Sequence, residues 1–400
     1  MNILFITENN ISQSAGGTDR ITITLSNAFS ARGHKCYLAF CRDSVNPENC
    51  AFEQRFLLKE GREREVLSEC LNACGIDIIV SNLVDIVCKR RLVPMAYELS
   101  RKTGARLVAC YHAMPGEDLI GNTICNSLWR IRKYGDLKRN AVDMALSIVP
   151  SAVSEALFRK RFERKYRLLY DFSDALVLLS PKFADRYASL AGLQVDGKFH
   201  YIGSSLSYDE FYPVEELDRK SKSVIIVSRM DEKSKRLSYA LKVWKLVCND
   251  PRCADWNLRI VGGGPDLEYY RCLARRMDLK NVSIEGRVDD VTTYYRGSSI
   301  FLMTSAYEGW GLTVTESQQF GVVPVVMDSY ASLTDLVTSG ENGIIVPYGE
   351  VAACADAVKD LMLNDMMRKE IAARAIESSR RFSMDRTAAK WLDLFERLQG

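Results

Sequence analysis

The run SAYEGWGLTVTESQQFG at 305–321 holds two carboxylates, Glu308 and Glu316, with seven residues between them. Its apolar lead-in, SIFLMTS at 299–305, reads as a buried strand, and the residues after Gly311 read as a helix. Glu308 therefore falls in the turn between strand and helix, where Gly309 and Gly311 permit close backbone approach. The helix start, at Leu312 and Thr313, offers main-chain N–H groups to an anion. Carboxylates at the two ends of such a turn can grip hydroxyls of one sugar-bearing ligand. The plain alternative is a capping Glu308 and a solvated Glu316.

Other groups of the right type stand at strand ends. Arg229 and Lys235 follow the apolar run SVIIVSR at 223–229. An Arg presents a planar fork and a Lys a point charge to a phosphate on which negative charge grows. Ordinary surface ion pairs are the alternative for both. Gly16 and Gly17 follow the strand-like NILFIT at 2–7 and precede a helix, the position of a loop that approaches phosphate or substrate. Turns need glycine in any case. Arg287 and Val288 follow VSIEG at 282–286, and His112 closes RLVACYH at 106–112. All lie where an open α/β sheet holds its ligands, beyond the carboxyl ends of the strands. A structural His112 and an exposed strand-end Arg287 are the plain readings. The turn GGGP at 262–265 is no dinucleotide fingerprint, because its third glycine would fall at Leu267.

These residues need a scaffold, and the chain repeats one grammar twice. Near-continuous apolar runs at 2–7, 35–40, 76–81, 106–112 and 174–180 alternate with helical patterns. The alternation restarts at 223–229 and continues through 257–264, 282–286, 299–305 and 322–327. Such runs belong to parallel sheets covered on both faces, so the expected fold class is α/β with two doubly wound, Rossmann-like domains. The expected division is 1–205, 206–380 and a C-terminal helical piece, 381–400, packing back on the first domain. At 400 residues and 47% hydrophobic content, two cores are affordable.

Composition excludes several classes. No eighteen-residue apolar run exists, and MNILFITENN lacks the basic leader and cleavage site of a signal peptide. Twelve cysteines lie without framework spacing, which suggests reduced thiols and a cytoplasmic setting. His34, His112 and His200 form no zinc-like cluster. The net charge is only +3, yet residues 121–170 carry eleven Lys/Arg against four Asp/Glu. That basic excess and the apolar run at 141–158, broken by Pro150, suggest either a solvated helical face or contact with anionic lipid. Aromatic interleaving and a recognised module are missing, so nucleic acid is not an expected partner.

Five segments in register resemble one family. EGWGLTVTE around Glu308 and Glu316 looks like the E-x7-E signature of retaining glycosyltransferases of family 4. SAGGTDRITITLSNAFSARGH (14–34), VSRMDEKSKRL (227–237), IVGGGPDLEYY (260–270) and DSYASLTDLVTSGENGIIVP (328–347) resemble its other motifs in the same order. The resemblance implies a GT-B fold, with an acceptor-reading N-terminal domain and a donor-reading C-terminal domain. It further implies diphosphate contact by Arg229 and Lys235, donor-sugar contact by Glu308 and ribose contact by Glu316. Gly16 and Gly17 would approach donor phosphate or acceptor. Backbone near Arg287 and Val288 would hold the base, and His112 would lie against the sugar near its reacting carbon. The sequence departs from the family at HYIGSSLSY (200–208), where an Asn-Pro pair is common, which puts hinge geometry in doubt.

The expected reaction moves a hexose from a nucleotide-sugar, a UDP-hexose first and a GDP-sugar next, to an acceptor hydroxyl with retention. No carboxylate is obviously poised as a nucleophile, so same-face attack is expected. No D-x-D triplet is present, so no metal and no other cofactor is expected. The expected acceptor is a glycan or lipid-linked glycan of a cell-surface polysaccharide or glycolipid. The setting is cytoplasmic, at the inner face of the membrane if 121–170 contacts it. The competing readings are a non-catalytic sugar-nucleotide-binding protein and an epimerase on the same fold.

Overall fold

The computed structural model describes residues 1–11, 16–43 and 51–400. Ser14 and Ala15, at the head of the first family-like motif, lie outside the described residues. The chain separates into two compact units, one of Met1–Pro115, Phe158–Ser207 and Phe382–Gly400, the other of Gly116–Leu157 and Tyr208–Arg381.

The first unit is built on a seven-stranded sheet. Its strands are β1 (Asn2–Asn9), β2 (Lys35–Arg42), β3 (Gln54–Leu57), β4 (Ile78–Ser81), β5 (Arg106–Tyr111), β6 (Ala175–Leu178) and β7 (Phe199–Tyr201). They pair in parallel in the order β3-β2-β1-β4-β5-β6-β7. Central strands are buried on both faces, which explains their unbroken apolar sequence. The expected strands include neither β3 nor β7, because short edge strands are half covered and carry little pattern. The C-terminal helix Met384–Gln399 packs within this unit against the helix Gly17–Ser30. Phe29 and Phe395 meet edge-on at 5.8 Å, and Arg32 pairs with Asp385 at 2.6 Å.

The second unit repeats the plan with β8 (Ser223–Val227), β9 (Asn257–Val261), β10 (Val282–Gly286), β11 (Ile300–Met303), β12 (Val323–Asp328) and β13 (Ile344–Pro347). All pairs are parallel, in the order β10-β9-β8-β11-β12-β13. Strand order reverses between β8 and β11, so the loops leaving these two neighbours diverge and open a crevice at their carboxyl ends. The core beneath is dense: Trp244, Trp256, Tyr270, Ile226, Leu258 and Leu302 are buried together.

Gly116–Leu157 lies inside the stretch expected in the first domain, yet it groups with the second unit. Its helices Ile124–Tyr134 and Leu137–Ile148 are fastened there by side chains far away in sequence. Arg130 pairs with Asp266 at 2.8 Å, Lys233 with Asp143 at 3.1 Å, and Arg236 donates to the Gly121 carbonyl at 2.7 Å. Trp129 adds an edge-on contact with Tyr269 at 5.5 Å.

The turn after β9 depends on glycine. Gly262 has φ 135°, and a Cβ there would stand 1.9 Å from the Ser228 carbonyl oxygen. Gly262→Ala is therefore expected to lower the unfolding free energy by about 2 kcal/mol or more, measured by urea titration.

Candidate functional site

The switch-point crevice of the second unit collects the chemistry. The loop leaving β8 forms a short helical turn, Glu232–Lys235, capped by Asp231, whose side chain accepts from the Lys233 N–H. Arg236 follows in left-handed backbone at φ 49°, which turns the chain into the helix Leu237–Val247. The loop leaving β11 is tied to this one by its main chain. Ala306 N–H donates to the Ser234 carbonyl at 2.7 Å, and the Thr304 hydroxyl donates to the Arg236 carbonyl at 3.0 Å. The result brings Lys235 Nζ to 2.5 Å from Glu308 Oε1, which also accepts from the Ser305 hydroxyl at 2.7 Å.

The turn past Glu308 is held from below. Ser329 donates to the Ser305 carbonyl at 2.6 Å and Ser332 to the Gly309 carbonyl at 3.1 Å. Gly311 caps the next helix at φ 97°, and a Cβ there would stand 2.6 Å from the Tyr330 hydroxyl. Only glycine fits that approach. The helix Leu312–Gln319 then begins with Leu312 and Thr313 half-buried beside the turn. First-turn amides have no acceptor inside a helix, so this end suits an anion.

The other expected residues fall less uniformly. Arg229 is not drawn into the Lys235–Glu308 pair: its side chain is 66% exposed and pairs with Asp231 at 3.1 Å. Glu316 has no exposed surface, and its Oε2 accepts from the Tyr295 hydroxyl at 3.0 Å. Its position one helical turn inside the unit explains this; the expected ribose contact has no open face in the structure. Arg287 and Val288 follow β10 beside the glycine turn, with a Cβ at Gly263 standing 3.5 Å from Arg287 Cβ. Gly16 and Gly17 open the helix Gly17–Ser30 in the first unit, and among the described residues nothing lies within 4 Å of where a Cβ at Gly16 would stand.

His112 belongs to the first unit, just past β5. Its Nε2 stands 3.1 Å from Asn82 Oδ1, and Asn82 donates onward to Thr22 at 2.9 Å. A small cavity beside it is lined by Asn82, Ile202, Ser204, Thr387 and Trp391. Burial, with the Lys89 ammonium adding, pushes the imidazole down to about 4, so at neutral pH it is uncharged and Nε2–H donates to Asn82.

Several residues that shape the crevice carry no sequence signal of their role. Ser329, Ser332, Thr304 and Asp266 act through main-chain groups or distant partners, and Ser305 through the Glu308 carboxylate. Asp266 alone was detectable, as a capping-type residue before the helix Leu267–Arg276.

Residues 208–378 match the family described as Glycosyl transferases group 1. The matched segment is similar to a group 1 glycosyltransferase domain. The family domain thus contains the whole second sheet together with Lys235, Glu308 and Glu316. The amylovoran biosynthesis glycosyltransferase AmsD of Erwinia amylovora is 23% identical over 295 residues, 67% of this chain and 81% of that protein. The phosphatidyl-myo-inositol mannosyltransferase of Mycobacterium leprae is 30% identical over 183 residues, 44% of this chain and 47% of its own. A glycosyltransferase of Haemophilus influenzae is 28% identical over 158 residues, 39% of this chain and 44% of its own, so the aligned part spans under half of that relative. Among solved structures, Anabaena HepE in complex with UDP superposes with a TM-score of 0.71 at 15% identity, covering 99% of this chain and 100% of that one. Staphylococcus aureus TarM gives 0.72 at 12% identity, with coverage of 99% and 100%. The fold is GT-B: two Rossmann-like parallel-sheet units outside and inside the group 1 domain.

Two outcomes follow. Arg130→Ala leaves the fully buried Asp266 without its cation and is expected to cost about 3 kcal/mol in denaturant unfolding. The unfolded state takes up the His112 proton near pH 6.5 and the folded state only near 4, so stability falls as pH drops through that window. His34 and His200 shift in the same direction. The His112→Gln protein should show a shallower fall in urea midpoint between pH 6.5 and 4.

Proposed function

We propose that this chain transfers a hexose from a UDP-hexose to a hydroxyl of a glycan or lipid-linked glycan, with retention at the anomeric carbon. The observation that carries this reading is the Lys235–Glu308 pair, 2.5 Å apart where strand order reverses, beside a glycine turn and a helix start. A cation and a carboxylate paired with each other can part to different ends of one ligand. Lys235 then meets the diphosphate, with Arg229 reaching it by its exposed side chain, and Glu308 meets hydroxyls of the donor sugar. Leu312, Thr313 and the glycines at 309 and 311 supply main chain to the same anion. Arg287 and Val288 flank the base, and Gly16 and Gly17 approach phosphate or acceptor. Glu316 contacts the ribose, a role that requires the donor to uncover it. The UDP bound by HepE and the polysaccharide-related name of AmsD agree with this donor and acceptor class.

In this reading the bond from the anomeric carbon to the diphosphate oxygen breaks while the acceptor oxygen bonds the same face. The acceptor proton passes to the departing phosphate oxygen, and UDP leaves. Neutral His112 offers a hydrogen bond rather than a charge. The positive charge on the diphosphate comes from Lys235 and Arg229, so activity should persist in EDTA.

The test is a turnover screen of UDP-, GDP- and ADP-hexoses with and without EDTA, repeated with Glu308→Gln. The expected result is turnover of a UDP-hexose that falls about 100-fold or more in the variant. Unchanged turnover in Glu308→Gln overturns the assignment, and an inverted product by NMR overturns retention. UDP binding without turnover of any donor would instead indicate a non-catalytic protein.

A further inference from the structure

A helix on the surface of a folded unit normally turns its apolar stripe inwards and its polar residues to water. The helices of 124–157 do the reverse. In Ile124–Tyr134 the buried residues are Asn126 and Ser127, while Ile124 and Leu128, one turn apart, are exposed. In Leu137–Ile148 the buried residues are Asn140 and Asp143, while Leu137, Val142 and Ile148 face outwards. The first turns of Ser151–Asp171 continue the pattern, with Ser154 buried and Val153 and Leu157 exposed. Leu137 is 61%, Ile148 67% and Leu157 75% exposed, and these are among the largest apolar exposures in the described residues.

The inversion has a visible cause on its inner side. Arg130, Asp143 and the Gly121 carbonyl are the groups that meet Asp266, Lys233 and Arg236. Arg130, Asp143 and the Gly121 carbonyl fasten the segment from its inner side, and the apolar faces are left outside. Charge on the outer side is mainly positive. Arg132, Lys133, Lys138 and Arg139 are exposed, and between 124 and 157 the single exposed acid is Asp136. The last helix carries on into exposed Arg159, Lys160 and Arg161. The core of a protein–protein interface is depleted in lysine, whereas apolar side chains interleaved with Lys and Arg suit the boundary between acyl chains and anionic headgroups.

We propose that the outer face of 124–157 docks on an anionic lipid bilayer. Ile124, Leu128, Leu137, Val142, Ile148 and Leu157 enter the headgroup boundary, and the surrounding cations meet lipid phosphates. Among the described residues no helix is long and apolar enough to cross a membrane, so the contact is one of lying on the surface. The inner face is fixed to the loop that carries Lys235, so the same segment that meets lipid also braces the proposed donor site. A lipid-borne acceptor would then be presented beside it.

Flotation with phosphatidylcholine vesicles, with and without phosphatidylglycerol, tests this without any donor. The full chain is expected to float with the mixed vesicles at low salt and to be released by high salt. Lys138→Glu/Arg139→Glu should lower partitioning about tenfold or more, and Leu137→Glu/Ile148→Glu should abolish it. Both variants alter exposed positions, and unchanged thermal unfolding and UDP binding confirm that they fold. Equal binding to both vesicle types, flotation unaffected by the substitutions, or an apolar face that is instead covered in a dimer by light scattering would each overturn the proposal. Loss of flotation with donor turnover intact leaves the transferase reading standing.

Discussion

The second unit is organised around one buried carboxylate. Asp266 has no exposed surface; one oxygen accepts from the Glu232 N–H at 2.8 Å, and the other pairs with Arg130 at 2.8 Å. It thereby joins three segments distant in sequence: the turn after β9, the loop after β8 and the helix Ile124–Tyr134. A buried charge is tolerated only when its lone pairs are filled, so each partner is constrained by the others. The loop after β8 carries Lys235, and Lys235 sets where Glu308 rests. Glu232, next to Asp231, adds a second buried acid, with bonds from Ser238 and Tyr270; burial raises its pKa.

Positioning in the crevice relies on main chain more than on charged neighbours. Ser329 and Ser332, from the loop after β12, hold the Glu308 turn by its carbonyls, and the Thr304 hydroxyl holds the loop after β8 at the Arg236 carbonyl. Such bonds fix backbone and leave Lys235 paired with Glu308, which also accepts from Ser305. A site built this way can exchange an internal ion pair for a ligand without rebuilding its loops, which is the economy expected of a preorganised anion site.

The first unit offers a different chemistry. Its strand-end His112 is uncharged at neutral pH and tied through Asn82 to Thr22, a chain of neutral hydrogen bonds. Desolvation dominates there, whereas ion pairs dominate in the second unit.

Much of this was legible in the sequence, and for a reason. Buried parallel strands must be apolar throughout, so β1, β2, β4 to β6, β8, β9, β11 and β12 announce themselves, the edge strand β10 is marked by its closing glycine, and switch-point loops follow from their order. Glu308, Gly311 and Lys235 were legible because strand ends and glycine turns are local features. Edge strands β3, β7 and β13 were not, since they are short, half covered and carry weak patterns. Only the tertiary structure decided that Glu316 turns inward to Tyr295, that Arg229 stays in solvent, and that 116–157 joins the second unit. The last of these rests on pairings across more than a hundred residues, Arg130 with Asp266 and Arg236 with Gly121, and the first on a hydroxyl that only the fold brings to Glu316. Periodicity marks an apolar stripe; only the partner it meets, or fails to meet, tells which way that stripe faces.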